Sequence, residues 1–321
     1  MITKKRAGIV LGIIGVALLI LGIVWMTIIF PNISRIPGDL HYIIHTQGMV
    51  NVLDPDTLQL VTYEVKGIRD YWVDYCSGNT AYVRENISFV DATTQQDLPS
   101  LRTTALYAID RTTRKNISGY GDQDRYGYWS FPLFVQEGRD YALWLTGNPT
   151  TLDGKYLGEE DYMGLHVLVY RFSTPEEGLI VPKGLFTPEM KIHQWLEIKV
   201  EPISGTGVYF EGSTRRTTIT PVPDDLFPNT NPVEFVEMTV YDDLLTYAPE
   251  TTDMLVSDTK YNARMLPIVR TYVPWPLIGL GLALSLVGGV LIARKRPTPT
   301  PPESPVNDSG GIKSQRISGD Y

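Results

Sequence analysis

Two uninterrupted apolar runs lie near the ends of the chain, at residues 7–30 and 273–293, and neither contains a charged residue. A helix needs roughly 20 apolar residues to cross the hydrocarbon core of a bilayer, so each run predicts a transmembrane helix. The first run is also longer than the apolar part of a cleaved signal peptide, which is roughly 7–15 residues. We therefore expect both helices to remain in the protein as membrane anchors.

Basic triplets flank the two runs on the sides nearest the chain termini, at residues 4–6 and 294–296. Short cytoplasmic segments are enriched in Lys and Arg. This charge pattern predicts a cytoplasmic tail at residues 1–6, a second cytoplasmic tail at 294–321, and an extracellular domain at 31–272. The second tail is rich in Pro, Ser and Thr and poor in apolar residues, which predicts disorder.

Between the two runs the pattern changes to short alternating segments dense in Val, Ile, Thr, Tyr and Phe, which is typical of β-strands. The predicted strands are at residues 58–65, 81–90, 104–109, 165–172, 192–200, 207–211, 215–220 and 233–241. Turns in which an acid is followed three places later by a hydroxyl residue begin at Asp54, Asp110 and Glu201, and they predict hairpin corners. We expect a mainly β fold: a large antiparallel curved sheet or barrel-like extracellular domain between two terminal transmembrane helices.

One helix is predicted inside the extracellular domain, at residues 251–272, where Met254, Leu255, Tyr261 and Met265 form a rough apolar stripe. Pro267 is expected to break or kink this helix before the membrane. The helix is expected to lead directly into the second transmembrane helix.

Charge and cysteine content narrow the possible partners. Residues 31–272 hold 20 of the 28 basic residues and 33 of the 36 acidic residues, which leaves a net charge of −13 on this domain. Such an acidic surface argues against nucleic acid as a partner, because phosphate binding needs a basic surface. The single cysteine, Cys76, excludes a disulfide within the chain. A domain of this length can bury a sufficient core without one.

Catalytic and metal-binding motifs are not found in the sequence. His41 and His45 are four residues apart in a stretch that resembles a strand, where that spacing separates them by roughly 13 Å, too far for a shared metal. Adjacent acids are interpreted as solvated turn residues; they occur at 122 and 124, 159–161, 224–225 and 242–243. No nucleophile elbow, phosphate loop, dinucleotide fingerprint or Cys-x-x-Cys is present. We predict no catalytic residue, cofactor or metal, and a hydrolase that uses paired carboxylates remains an open alternative.

Two groups of residues are candidates for other sites. Asn32, Asn86 and Asn116 each begin an Asn-x-Ser sequon in the predicted extracellular domain and are possible glycosylation sites. The middle of the domain is aromatic, and its rings either fill the core of the sheet or line a groove for a sugar or lipid. The possible groove residues are Tyr126, Tyr128, Trp129, Phe131 and Trp144.

Short segments along nearly the whole chain resemble, in their order, the membrane proteins of actinobacteria and archaea labelled PorA-type porins, whose function is unknown. The segments are the basic amino end with the first helix, residues 54–55, 110–113, 131–132, 164–172, 181–182, 200–205, 211 with 215–216, and the final two helices. The label implies a channel and no catalytic residues. The layout is also similar to that of class B scavenger receptors, in which two terminal helices surround a β-rich domain that passes lipid through a tunnel.

These observations favour a double-anchored cell-surface protein that binds or transfers an apolar, lipid-like ligand near the bilayer. This hypothesis predicts a continuous apolar cavity of several hundred Å³. One alternative is a structural protein of the cell envelope or surface layer, and another is the channel that the family label implies. The expected partners are the lipid bilayer, a lipid or other apolar ligand, and envelope proteins.

Overall fold

The computed structural model describes residues 4–182, 189–221 and 235–294. The tail predicted to be disordered lies outside the described residues, except for its first residue. The described residues divide into two compact units: 4–19 with 279–294 form one, and those between 20 and 278 form the other.

Four α-helices and eleven β-strands make up the described part of the chain. The helices are α1 (Lys4–Val24), α2 (Phe30–Ile33), α3 (Pro249–Pro267) and α4 (Pro274–Ala293). The strands are β1 (His41–Leu53), β2 (Leu60–Ser77), β3 (Thr80–Asp91), β4 (Thr103–Asp110), β5 (Tyr141–Trp144), β6 (Thr151–Tyr162), β7 (Leu165–Ser173), β8 (Leu179–Val181), β9 (Met190–Glu201), β10 (Thr206–Pro221) and β11 (Phe235–Tyr247).

Two helical segments are long and apolar enough to cross a membrane, Lys4–Ile33 and Pro249–Ala293. Each contains one turn of π-helix, at Trp25–Ile29 and Ile268–Tyr272. The Trp25 indole nitrogen donates a hydrogen bond of 2.8 Å to the Val269 carbonyl oxygen, which joins the two π-turns. The helix predicted at 251–272 is formed by α3 and the second π-turn. Pro267 is the last residue of α3, and the helical segment continues through it as π-helix into α4.

The first compact unit is a helix pair in which α1 and α4 pack through small residues. A Cβ atom at Gly15 would lie 2.6 Å from the Ser285 amide nitrogen and 2.7 Å from the Gly281 carbonyl oxygen. A Cβ atom at Gly288 would lie 2.6 Å from the Gly8 carbonyl oxygen. Because these distances exclude any side chain, the glycines allow the two backbones to approach closely, as in other packed membrane helices.

The second unit contains one large antiparallel sheet that curves into a half-barrel, which confirms the predicted fold class. The strand order is β4-β3-β2-β1-β11-β10-β9-β7-β6-β5, and β8 pairs with β9. The first and last strands, β1 and β11, therefore pair with each other in the middle of the sheet. Their register runs from Thr46 opposite Tyr247 to Val52 opposite Tyr241.

Short bridging segments connect the two edge strands of this sheet at one level. Ile109 of β4 bridges to Asn116, and Lys115 bridges to Tyr128. Tyr128 in turn bridges to Leu143 of β5. Backbone hydrogen bonding therefore continues from one edge to the other at this level, and it satisfies groups that an edge strand leaves unpaired.

The acid-opened turns form as predicted at the β1–β2 and β9–β10 hairpins. The Asp54 Oδ1 atom accepts hydrogen bonds from the amides of Asp56 and Thr57, at 2.8 and 3.1 Å. Asp91, which the sequence analysis did not single out, binds two amides in the same way. These amide hydrogen bonds favour the ionised carboxylate and lower the pKa of Asp54 and Asp91.

One prediction about the strands and two about the turns are wrong. Residues 207–211 and 215–220 form the single strand β10, because β9 and β11 pair with it on both sides through the polar residues 212–214. The acids at 159–161 lie in β6 and not in a turn, although they are exposed. The acids at 242–243 lie in β11. Of the other acid pairs, 122 and 124 lie in a loop, and 224–225 lie outside the described residues.

The packing of α1 on α4 predicts that substitution of one of two neighbouring glycines destabilises the protein and that substitution of the other does not. We expect Gly288→Leu to destabilise the helix pair, by about 1–3 kcal/mol as for other overpacked sites, because its side chain would meet the α1 backbone. Gly289→Leu is the matched control, because a Cβ atom there would meet nothing within 4 Å. Thermal unfolding of the purified protein in detergent measures both, and equal melting temperatures for the two variants would contradict this packing.

Candidate functional site

A cavity of about 390 Å³ lies on the concave face of the sheet. Its walls come from β1–β3, from Thr103 at the start of β4, from β9–β11, and from the connecting residues 100–101 and 145–147. This volume is within the range of small-molecule sites, roughly 300–1,000 Å³. The apolar residues of its lining, called the apolar wall below, include Ile87, Phe89, Leu101, Leu196, Phe210 and Leu245.

Strand register decides which side chains reach the cavity. Alternate residues of a strand point to the same face of a sheet. Leu196, Gly212 and Leu245 are opposite one another on β9, β10 and β11, and they form one row across the concave face. A Cβ atom at Gly212 would lie 2.8 Å from the Leu196 Cβ atom, so the glycine lets the leucine side chain lie flat against β10.

A buried carboxylate, Glu85, forms the first polar group next to the cavity, and it is 1% exposed. It accepts hydrogen bonds from the Arg69 Nε atom, from the Tyr107 hydroxyl at 3.0 Å and from the Thr146 hydroxyl at 2.7 Å. Burial alone would lower the pKa of Arg69, but the Glu85 carboxylate beside it outweighs burial and raises that pKa. Arg69 and Thr146 line the cavity, so this charge pair faces it with its positive charge already compensated.

The second polar group lies on β10 and β11, in neighbouring rows of the concave face. The Asp243 carboxylate accepts hydrogen bonds from the Tyr241 hydroxyl and the Thr214 amide, both at 2.6 Å. Asp243 is 8% exposed, and this burial raises its pKa to about 6. The Arg216 guanidinium lies over the Tyr241 ring, 5.1 Å from the ring centroid.

Arg216 differs from Arg69 in forming no ion pair within the part of the chain that the structure describes, although its positive charge acts on the Asp243 carboxylate and offsets part of the rise in the pKa of that group. None of the ion pairs found among those residues includes it. Its Nε atom is buried and has no hydrogen-bond partner there. The hypothesis from the sequence predicted a continuous apolar cavity; the cavity in the structure combines apolar residues with Arg69, Arg216 and Asp243.

The aromatic residues proposed from the sequence lie in the core and at its surface rather than along the cavity. Phe131 is buried, with its ring centroid 4.9 Å from that of Tyr170. Trp144 is buried in a second cluster, against which Trp129 packs, and Tyr128 packs against the first. Tyr126 is exposed, and its ring centroid is 5.6 Å from that of Trp144. None of the five lines the cavity, and a role for them in a ligand groove stays a prediction.

The other sequence candidates are dispersed over the molecule. Asn32 is exposed in α2, and Asn86 is half-buried on β3. Asn116 is half-buried, and its side-chain amide donates to the Tyr126 carbonyl oxygen at 3.3 Å. Glycosylation of all three stays a prediction. The stretch with His41 and His45 is a strand, as predicted, and the described residues contain no group of three or more His, Cys, Asp or Glu placed to hold a metal ion.

The raised pKa of Asp243 predicts a pH-dependent stability. The folded state holds this proton more tightly than the unfolded state does, so stability falls as pH rises from about 4 to 6. Between pH 4 and pH 7 the free energy of unfolding of the wild type should fall. We expect Asp243→Asn to reduce that fall by up to roughly 3 kcal/mol. Asp242→Asn, on the neighbouring residue that pairs with Arg215, is the control. Denaturant unfolding at pH 4 and pH 7 measures the difference, and an equal pH dependence in wild type and Asp243→Asn would contradict it.

Comparison with known protein families supports the resemblance seen in the sequence. Residues 7–290 match the family described as Porin PorA, and the match includes the described strands of the sheet and nearly all of both apolar helices. A comparison with curated proteins finds no match. Because the family match extends over far more than half of the chain, this protein belongs to the PorA porin family.

Proposed function

We propose that this protein is anchored in the cell membrane by both terminal helical segments and that its sheet domain binds a lipid-like ligand. The cavity on the concave face is the observation that carries this proposal. Its size suits a small molecule, and its apolar wall offers a favourable surface to a hydrocarbon chain, at about 25 cal/mol for each Å² removed from water.

The cavity runs along much of the length of the strands. β1 begins shortly after α2, and β11 ends directly before α3, so both helices join the same end of the sheet. Tyr247, the last residue of β11 at that end, lines the cavity, and so do Val52 and Met190 near the opposite end. The proposal therefore includes exchange of the ligand at either end of the sheet, towards the helices or away from them.

A matched pair of substitutions on β4 tests ligand binding. Both threonines are exposed, but Thr103 lines the cavity, whereas Thr104, the next residue of the strand, points to the opposite face. We expect Thr103→Trp to reduce the amount of co-purified lipid at least severalfold, because the indole fills part of the cavity, and Thr104→Trp to leave it unchanged. Mass spectrometry of organic extracts of the purified proteins measures this amount. Wild-type protein without any bound lipid, in a preparation that was never delipidated, would favour the envelope-structural alternative instead.

The proposed orientation places both tails in the cytoplasm and the sheet domain outside. Cys76 is the chain's single cysteine and is exposed at the end of β2. We expect a membrane-impermeant maleimide to label Cys76 in intact cells. The control is Ser309→Cys in a Cys76→Ser background, where the thiol lies in the C-terminal tail. Labelling of this control before lysis, or protection of Cys76 until lysis, would contradict the orientation.

The family description supports a second candidate, a channel. The glycine faces of α1 and α4 are occupied by each other, and Ser285 is the one polar residue of α4. A pore would therefore need several copies of the chain, with apolar helix faces between them. Planar-bilayer recording of purified protein distinguishes the two: reproducible conductance steps would favour the channel over the binding protein.

A further inference from the structure

We propose that the cavity recognises an amphiphile with a singly charged anionic head group of the carboxylate type, and that Arg216 binds this head group. The inference rests on the proposed function, because it assigns the ligand class of the same cavity. It follows from the unequal environments of the two arginines that line the cavity.

The guanidinium of Arg216 has N–H donors that are not used within the described part of the chain. Its buried Nε atom has no partner among the described residues, and none of their carboxylates lies within ion-pair distance of it. The terminal nitrogens of the guanidinium likewise form no hydrogen bond with the described residues, and unlike Nε they are not fully buried. A carboxylate in the cavity would accept hydrogen bonds from this guanidinium, and two parallel hydrogen bonds to one carboxylate are the geometry that arginine favours.

The guanidinium is held in place by its surroundings. Tyr241 lies under one face of it, and the Tyr241 hydroxyl is itself fixed by the Asp243 carboxylate. Gly147 lies beside its Nη2 atom: a Cβ atom there would be 2.9 Å away, and the backbone φ of +86° favours glycine. The arginine is therefore positioned before any ligand arrives, so binding loses little side-chain entropy.

The neighbouring charges limit the charge of the ligand. Arg69 is compensated by Glu85, so Arg216 supplies the one positive charge of this cavity that has no described partner. Asp243 lines the cavity near Arg216 and adds negative charge when it is ionised. A head group with two negative charges would therefore meet repulsion that a single carboxylate largely avoids.

The apolar wall of the cavity suits the hydrocarbon part of an amphiphile. Leu196 and Leu245 lie two rows from Arg216 on the concave face, with the Thr214 row between them, and Phe210 lines the same cavity. A hydrocarbon chain on this wall would reach the guanidinium with its head group across the Thr214 row. The cavity thus matches a long-chain fatty acid better than a neutral lipid, which would leave the guanidinium unpaired.

Native mass spectrometry of the full chain in a neutral detergent tests the inference. Palmitic acid, hexadecanol and hexadecyl phosphate are added in equal amounts to wild type, Arg216→Gln and Arg215→Gln. Arg215 is adjacent on β10, exposed, and paired with Asp242 at 3.5 Å, so it controls for loss of charge. We expect wild type and Arg215→Gln to prefer the acid, and Arg216→Gln to lose about tenfold or more in acid binding while alcohol binding is unchanged.

Three results would overturn the inference, and they differ from failure of the proposed function. Equal acid binding in Arg216→Gln and Arg215→Gln would remove Arg216 as the head-group site, and so would equal binding of acid and alcohol by wild type. Stronger binding of the phosphate would reject the singly charged head group. Binding of none of the three by wild type would instead reject the cavity as a lipid site altogether. A thermal unfolding curve for each variant, matched to wild type, confirms that the protein is folded.

Discussion

The antiparallel pairing of β1 with β11 is the constraint on which the rest of the structure depends. It places the start of one strand and the end of the other at the same end of the sheet, where α2 and α3 join. The connection is reinforced on both sides: the His45 amide donates to the Thr251 hydroxyl at 2.8 Å, and the Ala248 amide donates to the His45 carbonyl oxygen at 2.9 Å. α2 and α3 therefore leave the sheet at the same end.

The same pairing determines the chemistry of the concave face. It brings Val50 and Val52 of β1 opposite Asp243 and Tyr241 of β11, so apolar and polar groups are neighbours along one wall. Polar groups this deep in a domain are tolerated only when they are paired. Glu85 meets that condition with three donors and Asp243 with two, whereas Arg216 does not meet it within the described residues. This exception is the observation on which the proposal of a head-group site at Arg216 rests.

Much of the fold could be predicted from the sequence because it rests on local patterns. The apolar helices, the alternating strands and the acid-opened turns each depend on residues that are close together in the chain. The strand β6 was missed because its exposed acids at 159–161 resemble a turn, and pairing with β7 overrides that local preference. The continuity of β10 was missed because residues 212–214 interrupt the apolar pattern, although pairing with β9 and β11 keeps them in one strand.

The cavity could not be predicted in the same way. Arg69, Arg216 and Asp243 meet there only because of the register between strands that are far apart in sequence. A one-residue shift in that register would turn each of them to the other face of the sheet. The aromatic segment at 126–144 was the stronger local signal, yet most of its rings pack into the core. Sequence patterns thus identified the core more reliably than the cavity.

A strand pairing between the two ends of a domain also dictates the order of its folding. During synthesis β1 and β2 emerge together and can form their hairpin at once, whereas β11 emerges last. The half of the sheet made early must keep the inner edge of β1 unpaired until almost the whole domain has been synthesised. Such non-local pairing is slow, so this edge must be shielded from other chains until β11 is available.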